Sequence, residues 1–142
     1  MDAFNLCVGK PLLSRENIGV PQSKRGIAYE EMRPVIESFG FALVQVYNGS
    51  RKNKRWPSMT EVLGFDSGVF FVEFFWKKPG ARDFHVVAVN CDQRMVYCNT
   101  LGRIPFAATK TNESVKTHAE VVGDLHVKRV YRVWRVVKRA LA

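Results

Sequence analysis

The chain has 142 residues, 46% of them hydrophobic, a size and composition that suit one domain around one buried core. No stretch approaches the roughly 20 uninterrupted apolar residues of a membrane-spanning helix, since the run over 68–76 already contains Glu73 and ends at Lys77 and Lys78. A formal charge of +9 would draw the protein toward polyanions or acidic partners without specifying a fold, and three cysteines with no C-x-x-C unit argue against a disulfide framework.

The opening residues Met1 to Cys7 have no basic flank and no h-region followed by a cleavage site, so a soluble, intracellular protein of cytoplasm or nucleus is expected. Phe4, Cys7 and Val8 fall at helical spacing before Gly9, Lys10 and Pro11, which reads as the end of a helix. A polar loop leads to a helix over 27–39, with Met32, Val35, Ile36 and Phe39 on one face, Glu30 and Glu31 in the first turn and Gly40 as its stop. Pro34 within it moves the expected start toward Arg33.

The β-rich run 41–47 ends at the turn signal Asn48-Gly49-Ser50 and predicts a strand. Pro57 at a first helical position, Ser58 or Thr60 near the cap and Gly64 mark a short helix over 57–63. Apolar runs at 68–76, 85–91 and 95–99, joined by turn-rich segments, form an antiparallel meander. Residues 113–125 read as a helix with Val115, Ala119, Val122 and Leu125 inward. Residues 127–137 read as a closing strand, although Val127, Val130, Trp134 and Val137 also fit a helical stripe. The sum is an α+β fold with helices packed on an antiparallel sheet.

Chemistry concentrates on the hairpin. His85 begins one strand and Asn99 ends the next, so antiparallel pairing brings both to one end of the sheet. There an amide could hold the imidazole in one tautomer, and the imidazole could take a proton from a thiol. The bland alternatives are a packed histidine at a strand entrance and an Asn that bonds its own turn. Cys91 and Cys98, on the hairpin strands, read as small apolar core residues. His118 and His126 read as surface groups, and a zinc site from Cys91, Cys98 and a histidine matches no compact ligand spacing.

A His, a hydrophobic strand, a tight turn, a second strand and then Asn resembles the base and orienting residue of papain-like cysteine peptidases. Josephin-type deubiquitinases have a similarly compact spacing. The run Tyr97-Cys98-Asn99-Thr100-Leu101-Gly102 is similar to the Tyr-Asp-Ser-(Leu/Met)-Gly stretch of SUMO-protease-like enzymes. The resemblance implies a papain-like fold, His85 as general base, Asn99 as its orienter, no cofactor, and a peptide or ubiquitin-like protein as partner. The nucleophile is what departs from it. The SUMO-protease order requires a cysteine after the acidic residue, and none follows Cys98. The papain order places it first, in a stretch such as Cys-x-x-x-Ala-x-Asn, and Ala3-Phe4-Asn5 matches the end of that stretch, which sets the cysteine just before Met1. Cys7 is the substitute inside the chain, but Gly9 and Pro11 follow too closely for a helix amino terminus to activate it. The expectation is a cysteine-peptidase-like domain that is inactive or incomplete as it stands.

The competing reading is a basic module for nucleic acid or a ribonucleoprotein. Arg51, Lys52, Lys54 and Arg55, and then Lys128, Arg129, Arg132 and Arg135, interleave cations with aromatic residues, as a surface that tracks phosphates and stacks bases would. A solvated strand face gives the same pattern, and basic residues also blunt sheet edges.

Overall fold

A computed structural model describes residues 29–48, 57–77 and 84–139, and the element order is mixed α and β. Helix α1 (Tyr29–Ser38) leads into strand β1 (Phe41–Asn48), and helix α2 (Met59–Leu63) into β2 (Val69–Trp76). Three further strands follow: β3 (Phe84–Asn90), β4 (Met95–Cys98) and β5 (Gly102–Pro105). Helix α3 (His118–Asp124) and β6 (Val127–Lys138) complete the order. All six strands form one antiparallel sheet in the order β1-β6-β2-β3-β4-β5. None of the described helices is long and apolar enough to cross a membrane.

The sheet is covered on both faces, because its strands carry apolar residues at alternate positions on each side. On one face α2 contributes Met59, Val62 and Leu63, and α3 contributes Val121 and Leu125. These pack on Phe70, Val72, Phe74, Val87, Val89, Val96 and Val133. On the other, Ile36 of α1 packs with Leu43, Phe71, Ala88, Tyr97 and Trp134. A fully buried side chain such as Phe74 or Ile36 contributes about 2–3 kcal/mol by its transfer from water. Glu73 is buried between the two outer thirds of the sheet and takes its partner from the paired strand, where Arg132 Nη2 donates to its Oε1 at 3.1 Å.

Local chemistry explains most boundaries. Ser58 caps α2 by accepting from Glu61 N at 3.1 Å, so Pro57 lies before the cap and not at the first helical position. Thr117 and Glu120 form a reciprocal capping box on α3. That box cuts the helix expected over 113–125 to its second half. In α1, Pro34 lies inside the helix and does not start it. One missing backbone donor is outweighed there by the burial of Ile36 and an Arg33–Glu37 pair at 2.9 Å. The segment over 127–137 is strand, not helix, and runs between β1 and β2 in the sheet's interior. β5 was not anticipated.

The register of β2 and β3 is pinned by Gly68, whose φ of +106° only glycine adopts readily. Its N–H donates to Asp92 Oδ1 at 2.9 Å and its carbonyl accepts from Cys91 N at 2.8 Å. A Cβ there would meet the Phe70 ring at 3.0 Å. With that end fixed, Phe74 falls opposite His85.

Candidate thiol site

The β3–β4 register pairs Ala88 with Tyr97 and Asn90 with Met95. Continued by one rung, it sets Val87 opposite Cys98, so Cys98 shares a sheet face with Val87 and, two residues back, His85. His85 Nε2 lies 3.4 Å from Cys98 Sγ, and Thr100 Oγ1 lies 3.2 Å from the same sulfur. Asn99 follows Cys98 in the turn and is exposed. The structure therefore brings His85 to Cys98.

Burial alone would push the Cys98 thiol up, but four donors converge on the sulfur. They are the His85 ring, the Thr100 hydroxyl and the backbone N–H groups of Leu101 and Thr100, and together they hold it down at about 6. The hydrogen bonding thus shifts Cys98 toward the thiolate, which is the nucleophilic form. The second hairpin cysteine differs. Cys91 Sγ donates to Val62 O at 3.5 Å, and burial pushes its thiol up to about 11.

Two rings pack against the imidazole. Trp76 stacks on it with centroids 4.1 Å apart and planes 4° apart, and Phe74 meets it edge-on at 5.6 Å. Trp76 is itself anchored, since its Nε1 donates to Leu125 O at 2.9 Å. Trp76, His85, Cys98, Thr100, Leu101 and Asp124 line a cavity of about 280 Å³, closed on one side by the α3–β6 turn. The thiol forms part of its wall although Cys98 is only 2% exposed.

Two sequence signals could have found this pair. A four-residue turn at 91–94 fixes the sum of paired residue numbers, and that sum places His85 with residues 98 and 100 rather than 99. The other is Trp76, which by its position at the end of β2 stands beside the first residues of β3. Among the described residues, no three or more His, Cys, Asp or Glu are arranged to hold a metal ion.

No family model matches the chain, and no curated protein matches it.

The remaining expected residues divide by position. Cys7, Arg51, Lys52, Lys54 and Arg55 lie outside the described residues. Lys128, Arg129, Arg132 and Arg135 all fall on β6. Arg129 sits 4.9 Å over the Phe75 ring, Arg135 5.9 Å over Phe70 and Arg132 5.1 Å over Trp134. Those guanidiniums therefore cover the sheet's own aromatics. His118 is half-buried, edge-on to Phe106 at 5.7 Å. His126 is exposed, with φ +52°.

Proposed function

We propose that the chain is a cysteine-peptidase-like domain of papain-like architecture in which Cys98, not Cys7 or a residue upstream, is the nucleophile and His85 the base. The observation that carries this reading is the 3.4 Å approach of His85 Nε2 to a Cys98 sulfur that also contacts Thr100, on the wall of a cavity. The helix, strand and His-bearing hairpin in that order support the architecture.

In this mechanism Cys98 Sγ attacks an acyl carbonyl carbon, with its proton already passed to His85 Nε2. The tetrahedral adduct collapses as Nε2 returns that proton to the leaving amine, which leaves an acyl-thioester on Cys98. Water, deprotonated by the same nitrogen, then releases the acid and regenerates the thiol. Stacking on Trp76 supplies the ring orientation that Asn99 was expected to supply. The four donors that stabilise the thiolate also lower its intrinsic reactivity, so turnover is expected to be slow. The partner in this reading is a peptide or ubiquitin-like chain.

The test is a peptidyl or ubiquitin electrophile that captures an active thiol. Mass spectrometry of the labelled chain should place the adduct on Cys98, and Cys98→Ala and His85→Ala should each abolish it. An adduct on Cys7, or none on any cysteine, rejects the assignment. The alternative of a basic nucleic-acid module draws on exposed Lys128, Arg129 and Arg135. It requires oligonucleotide binding that falls steeply with salt.

A further inference from the structure

The two edges of the sheet are built differently. β5 is four residues long and carries Arg103 and Pro105. The chain's own backbone flanks it, since Lys116 N donates to Pro105 O at 2.9 Å and Ala107 N donates to Lys116 O at 3.0 Å. Charge, proline and cover are the usual guards of a strand edge. β1, the other edge, is eight residues long and has no charged residue and no proline from Phe41 to Asn48. Val44 is 49% exposed, Val46 is 50% exposed, and Gln45 between them is exposed as well. With Phe39 they make three of the five large apolar side chains left exposed among the described residues. Apolar surface is thus concentrated beside one strand edge.

The direction of the backbone groups on β1 follows from one bond. Arg139 N donates to Gly40 O at 2.8 Å, which continues the β1–β6 register by one rung beyond Phe41 and Lys138. Antiparallel bonding alternates along a strand, so Ala42 and Val44 also direct their N–H and C=O groups at β6, whereas Leu43 and Gln45 direct theirs away from the sheet. No other strand lies on that side among the described residues. The regular stretch stops at the bulge between Gln45 and Tyr47. What remains is a short ladder centred on Val44, with one outward-directed residue on each side of it.

We propose that β1 pairs with β1 of a second copy of the chain, antiparallel about a two-fold axis beside Val44, to give a closed dimer with one continuous sheet. Leu43 then exchanges both backbone bonds with Gln45 of the second copy, and the two-fold repeats the exchange. Val44 falls opposite its own copy in a non-hydrogen-bonded pair, where side chains approach most closely, and so leaves water. Such a contact is self-complementary, and an uncharged strand meets itself without like-charge repulsion. Arg135, opposite Val44 on β6, stands three strand spacings from its copy. That is about 14 Å, beyond the screening length of about 8 Å. The pairing consumes the β1 edge while β5 is guarded, so assembly stops at two. The proposal is independent of the thiol chemistry.

Sedimentation velocity of the full chain from low to high micromolar should show monomer passing to dimer and no larger species. Association should tighten with salt, because each copy has a formal charge of +9. Gln45→Pro removes an N–H that points away from β6, and an edge strand tolerates proline at such a position. It should abolish the dimer while the thermal midpoint shows a folded chain. Val44→Lys should do the same by setting like charges against one another at the axis. Under mild oxidant, Val44→Cys should give a disulfide-linked dimer whose cross-linked peptide maps to position 44 of both copies, and Arg103→Cys on the other edge should not link. The Leu43 and Gln45 amides should exchange quickly in dilute monomer and slowly once the dimer fills. A monomer at every concentration, a dimer that survives both Gln45→Pro and Val44→Lys in folded protein, a dimer that Val44→Cys does not link, or a ladder of larger species overturns the proposal. Association that weakens with salt overturns it too, since charged groups would then form the contact. Protected Leu43 and Gln45 amides in the dilute monomer also overturn it, and assign the edge to the chain's own residues.

Discussion

Cys91 and Cys98 stand at opposite ends of the β3–β4 hairpin, pack into the same core cluster and are almost wholly buried, yet their thiols differ by about five pH units, about 11 against about 6. Burial acts on both in the same direction. What separates them is the supply of donors: Cys91 is itself a donor, to the Val62 carbonyl, whereas Cys98 receives from two side chains and two backbone N–H groups. The lesson is that a low-dielectric site does not by itself decide ionisation, since a complete ring of donors can replace water around an anion.

The largest expected effect follows from removing the main donor. His85→Ala should raise the Cys98 ionisation midpoint by about one pH unit or more, read from ultraviolet thiolate absorbance, and should cut any acyl turnover by about 10²- to 10⁴-fold. A midpoint that stays near 6 would show that the turn's own N–H groups suffice. Next, the alkylation of each cysteine can be followed by peptide mapping as a function of pH. The Cys98 peptide should titrate near 6 and the Cys91 peptide near 11. Equal profiles would remove the contrast.

Stability should report the same difference with opposite signs. An unfolded thiol ionises at about 9, so between about pH 6 and 9 the unfolded chain holds a proton that folded Cys98 has released. Stability then rises with pH across that window and the contribution disappears below about 6. Between about 9 and 11 the folded chain keeps the Cys91 proton that the unfolded chain has lost, and stability falls. Urea midpoints measured through both windows should show this rise and fall, and Cys98→Ala should flatten the lower window alone. The smallest effect concerns Arg94, whose charge lowers the Cys91 thiol and whose Nη1 donates to Leu63 O at 3.3 Å and Phe65 O at 3.1 Å. Arg94→Ala should move the Cys91 midpoint slightly higher and leave Cys98 unchanged, by the same alkylation assay.

How much of this was legible depends on what each residue's neighbours had to supply. The strands at 41–48, 69–76, 84–90 and 127–138 announce themselves through β-branched and aromatic runs, which pack on either face of a pleated sheet. β5 does not, because Gly102-Arg103-Ile104-Pro105 contains the two residues most depleted in strands, and it pairs only as the sheet's edge. The start of α3 was written in Thr117 and Glu120, but the apolar stripe suggested an earlier one. At the site, sequence order drew attention to His85 and the end of β4. It could not choose between Cys98 and Asn99, because proximity along neighbouring strands is a matter of length, whereas sharing a face is a matter of odd or even pairing.

The position of β6 has a consequence for how the protein is made. β1 and β2 each pair with β6 and lie on either side of it, so the two never meet without it. During synthesis both must wait, with open hydrogen-bonding edges, until residues near 138 leave the ribosome. Such distant pairing makes for slow collapse and a nascent chain prone to sticking to its neighbours. Chaperone dependence, and intolerance of even short deletions within 127–138, should therefore accompany this topology.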